Sequence, residues 1–331
     1  MESMIKKPFV SAMIVYRNEE QTIGKALLSL INQDYPRDRY EIILIDGMSD
    51  DASSEVINRI LDEHTDINIR IIKNEKKILA TGWNLGIKSA KGEYVFRIDA
   101  HSEVEEQYIN KCLTLYENLN DKLACVGGTI VSKALEGSDE VVSEILSSPF
   151  GVGNSKFRYS TTPGYVDTVA FGMYKKEIFE EVGYFDETLV RNQDVDIHSR
   201  MRNCGYKFYL DPNIHVVYYA RNSLKTMLKQ GFQNGKWVLI LLKRGKSHPS
   251  FRHLVPFVFV ISLIMLFVGA IFNKNCRVLL VAEIATHFAL GTYFAMKKET
   301  TKKNKVIMPI YFALLHITYG FGSLIGLLKD E

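Results

Sequence analysis

The stretch Tyr94-Val95-Phe96-Arg97-Ile98-Asp99-Ala100-His101 decides the fold class of this 331-residue chain. Its apolar first part predicts a buried strand, Tyr94–Ile98, which ends at the polar residues that follow. Towards the N-terminus strands and helices alternate in the same way, with strands at Phe9–Val15, Glu41–Ile45 and Ile67–Ile72 and helices at Gln21–Ile31 and Leu79–Ala90. A further helix between them can be capped by Asp50 or Asp51, and its apolar face consists of Val56, Ile57, Ile60 and Leu61. This alternation predicts an α/β fold with a Rossmann-like, doubly wound and mostly parallel sheet.

Polar side chains follow three of these strands where each one ends. Asn18, Asp46 and Asp99 lie at or just beyond the ends, and ligands of doubly wound sheets bind beyond the carboxyl ends of the strands. The glycine-rich loop G-x-G-x-x-G does not follow the first strand, which argues against a dinucleotide-binding domain. A nucleotide bound without that loop needs another source of positive charge for its phosphates, and a divalent metal ion would supply it.

Asp99 and His101 are the candidate metal ligands. They are two residues apart at a strand end, so both side chains can project to the same side. A carboxylate with an imidazole suits Mn²⁺ or Mg²⁺ that also binds diphosphate oxygens. Taken alone, the pair is more typical of a turn aspartate and a helix-capping histidine, so the surrounding motifs must decide between the two interpretations.

The overall composition excludes several classes of protein. With 47% hydrophobic residues, 24% charged residues and a formal net charge of +3, the chain is neither disordered, nor collagen-like, nor a small disulfide scaffold. The four cysteines are scattered without a C-x-x-C pair, which is typical of free thiols in a reducing cytosol. The composition is not uniform along the chain. No acidic residue occurs between Asp211 and Glu283, and the chain is strongly apolar after Leu254.

Eight short motifs resemble, in order, those of the family 2 glycosyltransferases, which have the GT-A fold, and the resemblance extends over about residues 9–240. The motifs are V-Y-R-N-E-E (15–20), L-I-D-G-M-S-D-D (44–51), N-L-G-I (84–87), R-I-D-A-H (97–101), F-G-V-G-N (150–154), V-D-T-V-A-F-G (166–172), G-Y-F-D-E (183–187) and R-N-Q-D-V-D (191–196). The D-A-H variant and the motifs at 150–154 and 166–172 make the chain most similar to the ExoA-type transferases of succinoglycan biosynthesis.

The resemblance implies a role for each segment. Asp194 would be the general base, although alone it is more typical of a surface helix cap, and Asp99 with His101 would hold the metal. Donor binding is implied for Tyr16, Arg17, Asn18, Glu19, Asp46, Asn84 and Asp99. Acceptor binding is implied for Phe171, Gly172, Asn192, Gln193, Lys236 and Trp237. The side chain of Trp237 is equally consistent with an anchor of an interfacial helix.

Four positions depart from the family pattern. Trp83 stands where the family has arginine, His101 where D-x-D has its second aspartate, and Gln193 where the family has glutamate. Lys236 replaces the arginine of the family's Q-x-x-R-W motif, which the segment Q-G-F-Q-N-G-K-W (230–237) loosely resembles. The implied reaction inverts the anomeric centre, with a metal stabilising the leaving nucleoside diphosphate and Asp194 accepting the proton of the acceptor hydroxyl. UDP is the commonest leaving group in the family. A processive polysaccharide synthase and a catalytically silent assembly partner stay open as alternatives.

The C-terminal third predicts a membrane domain. The basic stretch 221–253, with apolar residues interspersed, is typical of a helix on an anionic membrane surface and less so of a nucleic-acid contact. The three predicted transmembrane helices are 254–272, 278–296 and 306–328. The loop 297–305 carries five lysines, so the positive-inside rule places it in the cytosol, together with the catalytic domain at 1–220.

The combined prediction is a multi-pass protein of the cytoplasmic membrane that extends a surface or exopolysaccharide unit on a lipid carrier. Its expected partners are a nucleotide-sugar donor, a lipid-linked saccharide acceptor, the membrane and other polysaccharide-assembly proteins, without nucleic acid. Glu283 and His287, four residues apart in the second membrane segment, are candidates for function like any intramembrane ionisable group. We interpret them instead as a polar contact between helices or as part of a shallow in-plane helix.

Overall fold

The computed structural model describes residues 7–119, 121–135, 137–220, 223–245 and 250–329. The contacts among these residues divide the chain into two compact units. The first unit consists of the residues up to Lys133 with Ser160–Tyr219, and the second consists of Ala134–Tyr159 with the residues from Ala220 onward. Residues Ala134–Tyr159 therefore belong to the second unit, although they lie inside the stretch 1–220 that the sequence analysis assigned to the catalytic domain.

The described residues form nine strands and twelve α-helices. The strands are β1 (Val10–Tyr16), β2 (Tyr40–Asp46), β3 (Asn68–Lys73), β4 (Tyr94–Asp99), β5 (Ser102–Val104), β6 (Leu123–Ala134), β7 (Gly164–Val166), β8 (Met173–Lys175) and β9 (Lys207–Ala220). The helices are α1 (Ile23–Ile31), α2 (Ser53–Glu63), α3 (Leu79–Ser89), α4 (Tyr108–Asn118), α5 (Glu140–Leu146), α6 (Pro149–Val152), α7 (Glu177–Val182), α8 (Gln193–Asn203), α9 (Leu224–Lys243), α10 (Val255–Phe272), α11 (Lys274–Met296) and α12 (Lys302–Leu328).

The sheet of the first unit has the strand order β3-β2-β1-β4-β8-β6-β9-β5, and β7 pairs with β9. The pairs among β1 to β4 are parallel, which confirms the predicted alternation of strands and helices. The pairs β4–β8, β6–β8, β5–β9 and β7–β9 are antiparallel, so the sheet is mixed. The sequence after β4 lacks the regular helical crossovers that parallel neighbours require.

The strands β1 and β2 are buried on both faces, as their continuous apolar sequences predict. In β1, Val10, Ala12, Met13 and Ile14 are at most 1% exposed. Burial of each large aliphatic side chain stabilises the fold by about 1.5–3 kcal/mol. Because β1 lies between β2 and β4 in parallel, the loops that follow these three strands leave the sheet at the same edge.

Glu41 is a charged residue within this apolar core. Its side chain is fully buried, and its Oε1 atom accepts hydrogen bonds of 2.7 Å from the Ser11 hydroxyl and from the backbone N–H of Lys91. Its Oε2 atom lies 3.1 Å from Nε of Arg70. Burial alone would raise the pKa of Glu41, but these hydrogen bonds and the Arg70 charge outweigh it and lower the pKa below its usual range.

We expect Glu41→Gln to lower the free energy of unfolding at pH 7 by about 2 kcal/mol, the usual contribution of hydrogen bonds to a charged group. Because the folded pKa is depressed, the carboxylate stabilises the fold above the ordinary pKa of 4.5 and ceases to do so as the pH falls through the folded value. Denaturant unfolding of the full chain in detergent at several pH values measures this. The stabilising role of the Glu41 carboxylate would be contradicted if the difference in free energy of unfolding between Glu41→Gln and wild type did not become smaller in acid. It would also be contradicted if the exposed control Glu63→Gln showed the same difference.

The second unit contains three helices that are long and apolar enough to cross a membrane. They are Phe251–Phe272, Lys274–Met296 and Lys302–Leu328, which agree with the three predicted segments. Helix α9, from the predicted basic interfacial stretch, packs along α12 at close range. A Cβ atom on Gly235 would collide with the backbone carbonyl of Tyr319, and one on Gly322 would collide with that of Phe232. Small residues of this kind let two helix backbones approach each other.

Glu283 and His287 each contact a neighbouring helix. The Ser262 hydroxyl of α10 donates a hydrogen bond to the Glu283 carboxylate of α11. His287 Nε2 lies 2.9 Å from Nδ1 of His316 in α12, and His316 Nε2 lies 2.8 Å from the backbone carbonyl of Phe150 in α6. These contacts are the helix-to-helix polar interactions by which the sequence analysis interpreted both residues.

Candidate active site

Asp99 and His101 lie together at the end of β4, as the sequence analysis expected. Nε2 of His101 is 3.9 Å from Oδ2 of Asp99 and 3.0 Å from the hydroxyl of Tyr218. Nδ1 of His101 is 3.2 Å from Oε1 of Glu19. The side chains of Asp99, His101 and Glu19 are each about 30% exposed, so they form one polar cluster that solvent and a ligand can reach.

The loop after β1 brings Glu19 to this cluster. Val15 pairs with Asp99 across the parallel strands β1 and β4, so the residues after Val15 emerge beside the D-A-H segment. Asn18 has a left-handed backbone with a φ of 56°, which asparagine tolerates better than most residues. Its side-chain amide and carbonyl bond to the Asp50 carboxylate and backbone N–H at 2.6 and 3.0 Å. The loops after β1 and β2 are therefore tied together.

The other expected donor-binding residues of this region lie in the same two loops. Asp46 Oδ1 accepts hydrogen bonds from the backbone N–H and the hydroxyl of Ser49 at 2.9 and 2.8 Å, which forms a tight turn after β2. Arg17 is exposed, whereas Tyr16 is buried. Burial raises the pKa of Tyr16, and the nearby carboxylates of Asp46 and Asp51 raise it further, so its phenol stays protonated.

The cluster at the end of β4 carries an excess of acidic groups. Burial raises the pKa of Asp99. The positive charges of His101 and Arg97 lower this pKa, the charges of Asp194 and Glu19 raise it, and the net result is an increase. Burial lowers the pKa of His101, but the hydrogen bond to Glu19 and the charges of Asp99 and Glu19 outweigh it and raise the pKa. Three carboxylates and one guanidinium thus act on each other at this edge of the sheet.

Arg97 connects the metal-ligand candidates to the candidate base. It stands two residues before Asp99 in β4, and its Nη2 forms an ion pair with Oδ1 of Asp194 in the first turn of α8. The Arg97 side chain is 9% exposed and that of Asp194 is 47% exposed. The guanidinium lies 3.6 Å above the centre of the Trp83 ring and 5.4 Å from that of Phe185. The ion pair brings Asp194 to the strand that carries Asp99.

Asn84 holds the G-Y-F-D-E segment in place. Its Nδ2 donates to the backbone carbonyl of Phe185 at 2.9 Å and to Oε1 of Glu187 at 3.1 Å, and its Oδ1 accepts from the N–H of Phe185 at 3.0 Å. The residue is 4% exposed. The hydrogen bonds from Lys76 and Asn84 lower the pKa of Glu187 to about 2. The structure therefore shows Asn84 in a structural role, and its contact with a donor stays a prediction.

Four of the expected acceptor-binding residues lie in the first unit. Phe171 has a φ of 53°, and its ring stacks on Tyr218 at 6.0 Å. A Cβ atom on Gly172 would collide with Sγ of Cys125, so only glycine fits there. Asn192 is left-handed with a φ of 60° and precedes α8. Gln193 is 8% exposed and donates from Nε2 to the Leu189 carbonyl at 2.9 Å.

Lys236 and Trp237 belong to α9 in the second unit. Trp237 is buried, with 8% of its surface exposed. Their contact with an acceptor stays a prediction.

Arg97 and Tyr218 are site residues for which the sequence motifs indicated no role. A partner for Arg97 could have been predicted from the sequence, because a charged residue inside an otherwise apolar central strand is rarely fully buried unless it is paired. The sequence gives no indication of a role for Tyr218. This residue lies in β9, more than 100 residues after His101, and only the antiparallel pairing of β5 with β9 brings the two residues together.

We expect Arg97→Met to lower the free energy of unfolding by about 3 kcal/mol, at the lower end for a broken buried ion pair because Asp194 is half-exposed. Arg97→Lys keeps the charge but loses the planar group that stacks on Trp83, so its free energy of unfolding should lie between those of the wild type and Arg97→Met. Denaturant unfolding followed by tryptophan fluorescence measures both variants. If Arg97→Met were no less stable than the exposed control Arg59→Met, the Arg97–Asp194 ion pair would not contribute to the stability of the fold.

The donor atoms at the cluster fit a hard divalent cation. Among the described residues, no three His, Cys, Asp or Glu side chains are already grouped to hold a metal, but Mg²⁺ in phosphate-handling sites takes one or two carboxylates with the remaining ligands from phosphates and water. Asp99 Oδ2 and His101 Nε2 are 3.9 Å apart, so these two residues would hold the cation. The surplus of carboxylates around Asp99 favours the same cation.

Comparisons with known proteins agree with this geometry. A family model described as "Glycosyl transferase family 2" matches residues 11–183. The dolichyl N-acetyl-alpha-D-glucosaminyl phosphate 3-beta-D-2,3-diacetamido-2,3-dideoxy-beta-D-glucuronosyltransferase of Methanococcus voltae is 30% identical over 327 residues, which cover 98% of each chain. The succinoglycan biosynthesis protein ExoA of Rhizobium meliloti is 25% identical over 221 residues, which cover 65% of this chain and 64% of that protein.

Among solved structures, the mannosyltransferase PcManGT of Pyrobaculum calidifontis, in complex with GDP-Man and Mn²⁺, superposes with a TM-score of 0.61. It is 16% identical and covers 95% of this chain and 88% of its own. This likeness confirms the predicted GT-A fold. The ExoA-type similarity that the motifs indicated is confirmed as well, at modest identity.

Proposed function

The chain belongs to glycosyl transferase family 2, and on this premise we propose that it transfers a sugar, with inversion, from a nucleotide-sugar to a lipid-linked saccharide at a membrane surface. One observation carries the proposal. The Arg97–Asp194 ion pair brings the candidate base to the strand whose end carries Asp99. We infer that both carboxylates face one site, where they would act on opposite sides of a single sugar.

Donor binding is the task of the loops at the carboxyl ends of β1, β2 and β4. Asp99 and His101 would hold a divalent cation, Mn²⁺ or Mg²⁺, which supplies positive charge to the leaving diphosphate. The loops that contain Arg17, Asn18 and Asp46 lie beside it and would hold the nucleoside, which we expect to be uridine. Tied to each other by the Asn18–Asp50 hydrogen bonds, they form a preorganised surface that loses little freedom when the donor binds.

Asp194 accepts the proton of the acceptor hydroxyl in this proposal. Its Oδ1 is taken by Arg97, which orients the carboxylate, and its side chain is half-exposed, so a hydroxyl can reach the other oxygen. Proton transfer by a positioned base contributes about 10²–10⁴-fold to the rate. Attack on the face opposite the diphosphate inverts the anomeric centre. Asn192 and Gln193 directly precede Asp194 and would contact the acceptor, as would Phe171 and Gly172.

The membrane helices support a lipid-linked acceptor. The name of the Methanococcus voltae relative specifies a dolichyl-phosphate-linked sugar as its acceptor, and the similarity extends through the three candidate spans. We propose a multi-pass protein of the cytoplasmic membrane, with the catalytic domain and the lysine-rich loop 297–305 in the cytosol. The similarity to ExoA supports a surface or exopolysaccharide as the product, assembled together with other proteins of that process.

A transfer assay tests the proposal. Membranes that contain the chain are incubated with radiolabelled sugar nucleotides, one at a time, and with extracted polyprenyl-linked saccharides, with and without EDTA. We expect one labelled sugar per lipid from one donor, and no transfer in EDTA. A ladder of long products would instead indicate a processive synthase, and transfer that resists EDTA would contradict the metal assignment.

A further inference from the structure

Both ring nitrogens of His101 have partners, and the partners differ in kind. Nδ1 is 3.2 Å from the Glu19 carboxylate, and Nε2 is 3.0 Å from the Tyr218 hydroxyl. An ionised carboxylate only accepts hydrogen bonds, so the hydrogen between Glu19 and His101 belongs to Nδ1. A hydroxyl both donates and accepts, so Tyr218 places no such requirement on Nε2. The nitrogen that faces Asp99, at 3.9 Å, is therefore the one that can offer a lone pair.

The Glu19 carboxylate is itself held in place. Its Oε2 accepts a hydrogen bond of 2.9 Å from the Thr22 hydroxyl, and its backbone N–H donates to the Ser53 hydroxyl at 2.9 Å. Thr22 is 7% exposed and Ser53 is fully buried. One oxygen of Glu19 is thus fixed by the protein, and the other points at the imidazole.

We propose that Glu19 is a positioning residue of the metal site, which holds His101 in the Nδ1–H tautomer and presents Nε2 to the cation beside Asp99. This inference rests on the proposed function, and it gives Glu19 a task other than contact with the donor. Metal-bound histidines commonly donate their second N–H to a carboxylate, which fixes the ring and makes the ligating nitrogen more basic. Glu19, His101 and Asp99 have the connectivity of such a group.

Fixation of the His101 ring by Glu19 affects which metal the site prefers. A ring fixed by Glu19 offers a nitrogen ligand beside the Asp99 oxygen, and nitrogen ligands favour transition metals over Mg²⁺. The site should therefore bind Mn²⁺ more tightly than Mg²⁺, and the preference should depend on Glu19. His101→Asp, which supplies a second carboxylate, should reduce the preference.

Titration of the full chain in detergent with Mn²⁺, followed by electron paramagnetic resonance, tests the inference without an activity assay. Removal of such an outer carboxylate lowers metal affinity by about 10–100-fold, so we expect a loss of this size in Glu19→Ala. Glu19→Gln keeps an oxygen that can accept from Nδ1 and should recover most of the affinity. Glu20→Ala removes the neighbouring exposed carboxylate and should bind Mn²⁺ like wild type. Nitrogen-14 couplings to Mn²⁺ should be present in wild type and weakened in Glu19→Ala.

The outcomes separate the inference from the proposed function. If Asp99→Asn and His101→Ala abolish Mn²⁺ binding while Glu19→Ala binds like wild type, the positioning role is wrong and the metal site stands. If Asp99→Asn and His101→Ala also leave Mn²⁺ binding intact, both the inference and the metal part of the proposed function are wrong. Should Glu19→Ala fail to fold, Mn²⁺ binding by the wild type without nitrogen-14 couplings overturns the inference equally, because His101 would then not be a metal ligand.

Discussion

Asp194→Asn is expected to lower kcat by about 10²–10⁴-fold, the usual contribution of a general base, with little change in the affinity for the donor. Asparagine keeps an oxygen that can accept the hydrogen bond from Arg97, so the side chain can stay in place while it loses its basicity. The ion pair is removed, but Asp194 is half-exposed, which limits the structural cost. Single-turnover rates and donor binding, measured on the same preparations, separate the two effects.

Two further variants make this prediction specific. Asp62→Asn removes an exposed carboxylate from α2 and should leave kcat unchanged. Asp194→Glu keeps a carboxylate but moves it by one methylene, and it should lose most of the activity because a base must lie within hydrogen-bond reach of the proton it accepts. If Asp194→Asn lost donor affinity as far as activity, Asp194 would belong to the donor site and another residue would be the base.

Asp99→Asn is the second variant for which we expect a large effect. It removes the carboxylate that we assign to the cation, so charge stabilisation of several kcal/mol at the leaving diphosphate is lost, which corresponds to about 10³-fold or more in rate. Donor binding should weaken at the same time and should no longer respond to Mn²⁺. Transfer rates and donor affinity at increasing Mn²⁺ concentrations measure both losses.

The control for Asp99→Asn is again Asp62→Asn, which should respond to Mn²⁺ like wild type. An Asp99→Asn enzyme with the wild-type dependence of rate on Mn²⁺ would show that the cation is held elsewhere.

The first half of the sheet was predictable from the sequence because β1, β2 and β4 are largely buried and mostly apolar. The antiparallel half was not. β5, β7 and β8 have three residues each, too few for a period to show, and their pairing is set by long-range contacts. The expected ends of the predicted strands fell within one residue of the observed ones, so the loops that carry the site were located correctly.

The candidate site was partly predictable for a similar reason. Asp99 and His101 stand next to each other in the sequence at a strand end, and their proximity follows from local geometry. The contacts of Asp194 with Arg97 and of His101 with Tyr218 join residues about 100 positions apart or more, which local patterns do not encode. Asn84 matched a family motif, yet its amide is used by the backbone of Phe185.

The assignment of residues 134–159 to the second unit was likewise beyond the sequence. Helix α5 has an apolar side formed by Val141, Val142 and Ile145, and this pattern predicts an amphipathic helix without naming its partner. In the structure these residues join a buried cluster with Met308 and Phe312 of α12. A segment inserted between strands of the sheet, residues 134–159, thus packs on a candidate membrane helix, and this packing is known only from the three-dimensional contacts.

The most direct test of the central claim is calorimetric binding of UDP, with GDP in parallel, to the unaltered chain and to Asp99→Asn and Asp194→Asn, each with and without Mn²⁺. We predict that Asp194→Asn binds the nucleotide as tightly as the unaltered chain and only with Mn²⁺, whereas Asp99→Asn loses the Mn²⁺-dependent binding. Equal loss of affinity in both variants, or nucleotide binding by the unaltered chain that is indifferent to Mn²⁺, would contradict it.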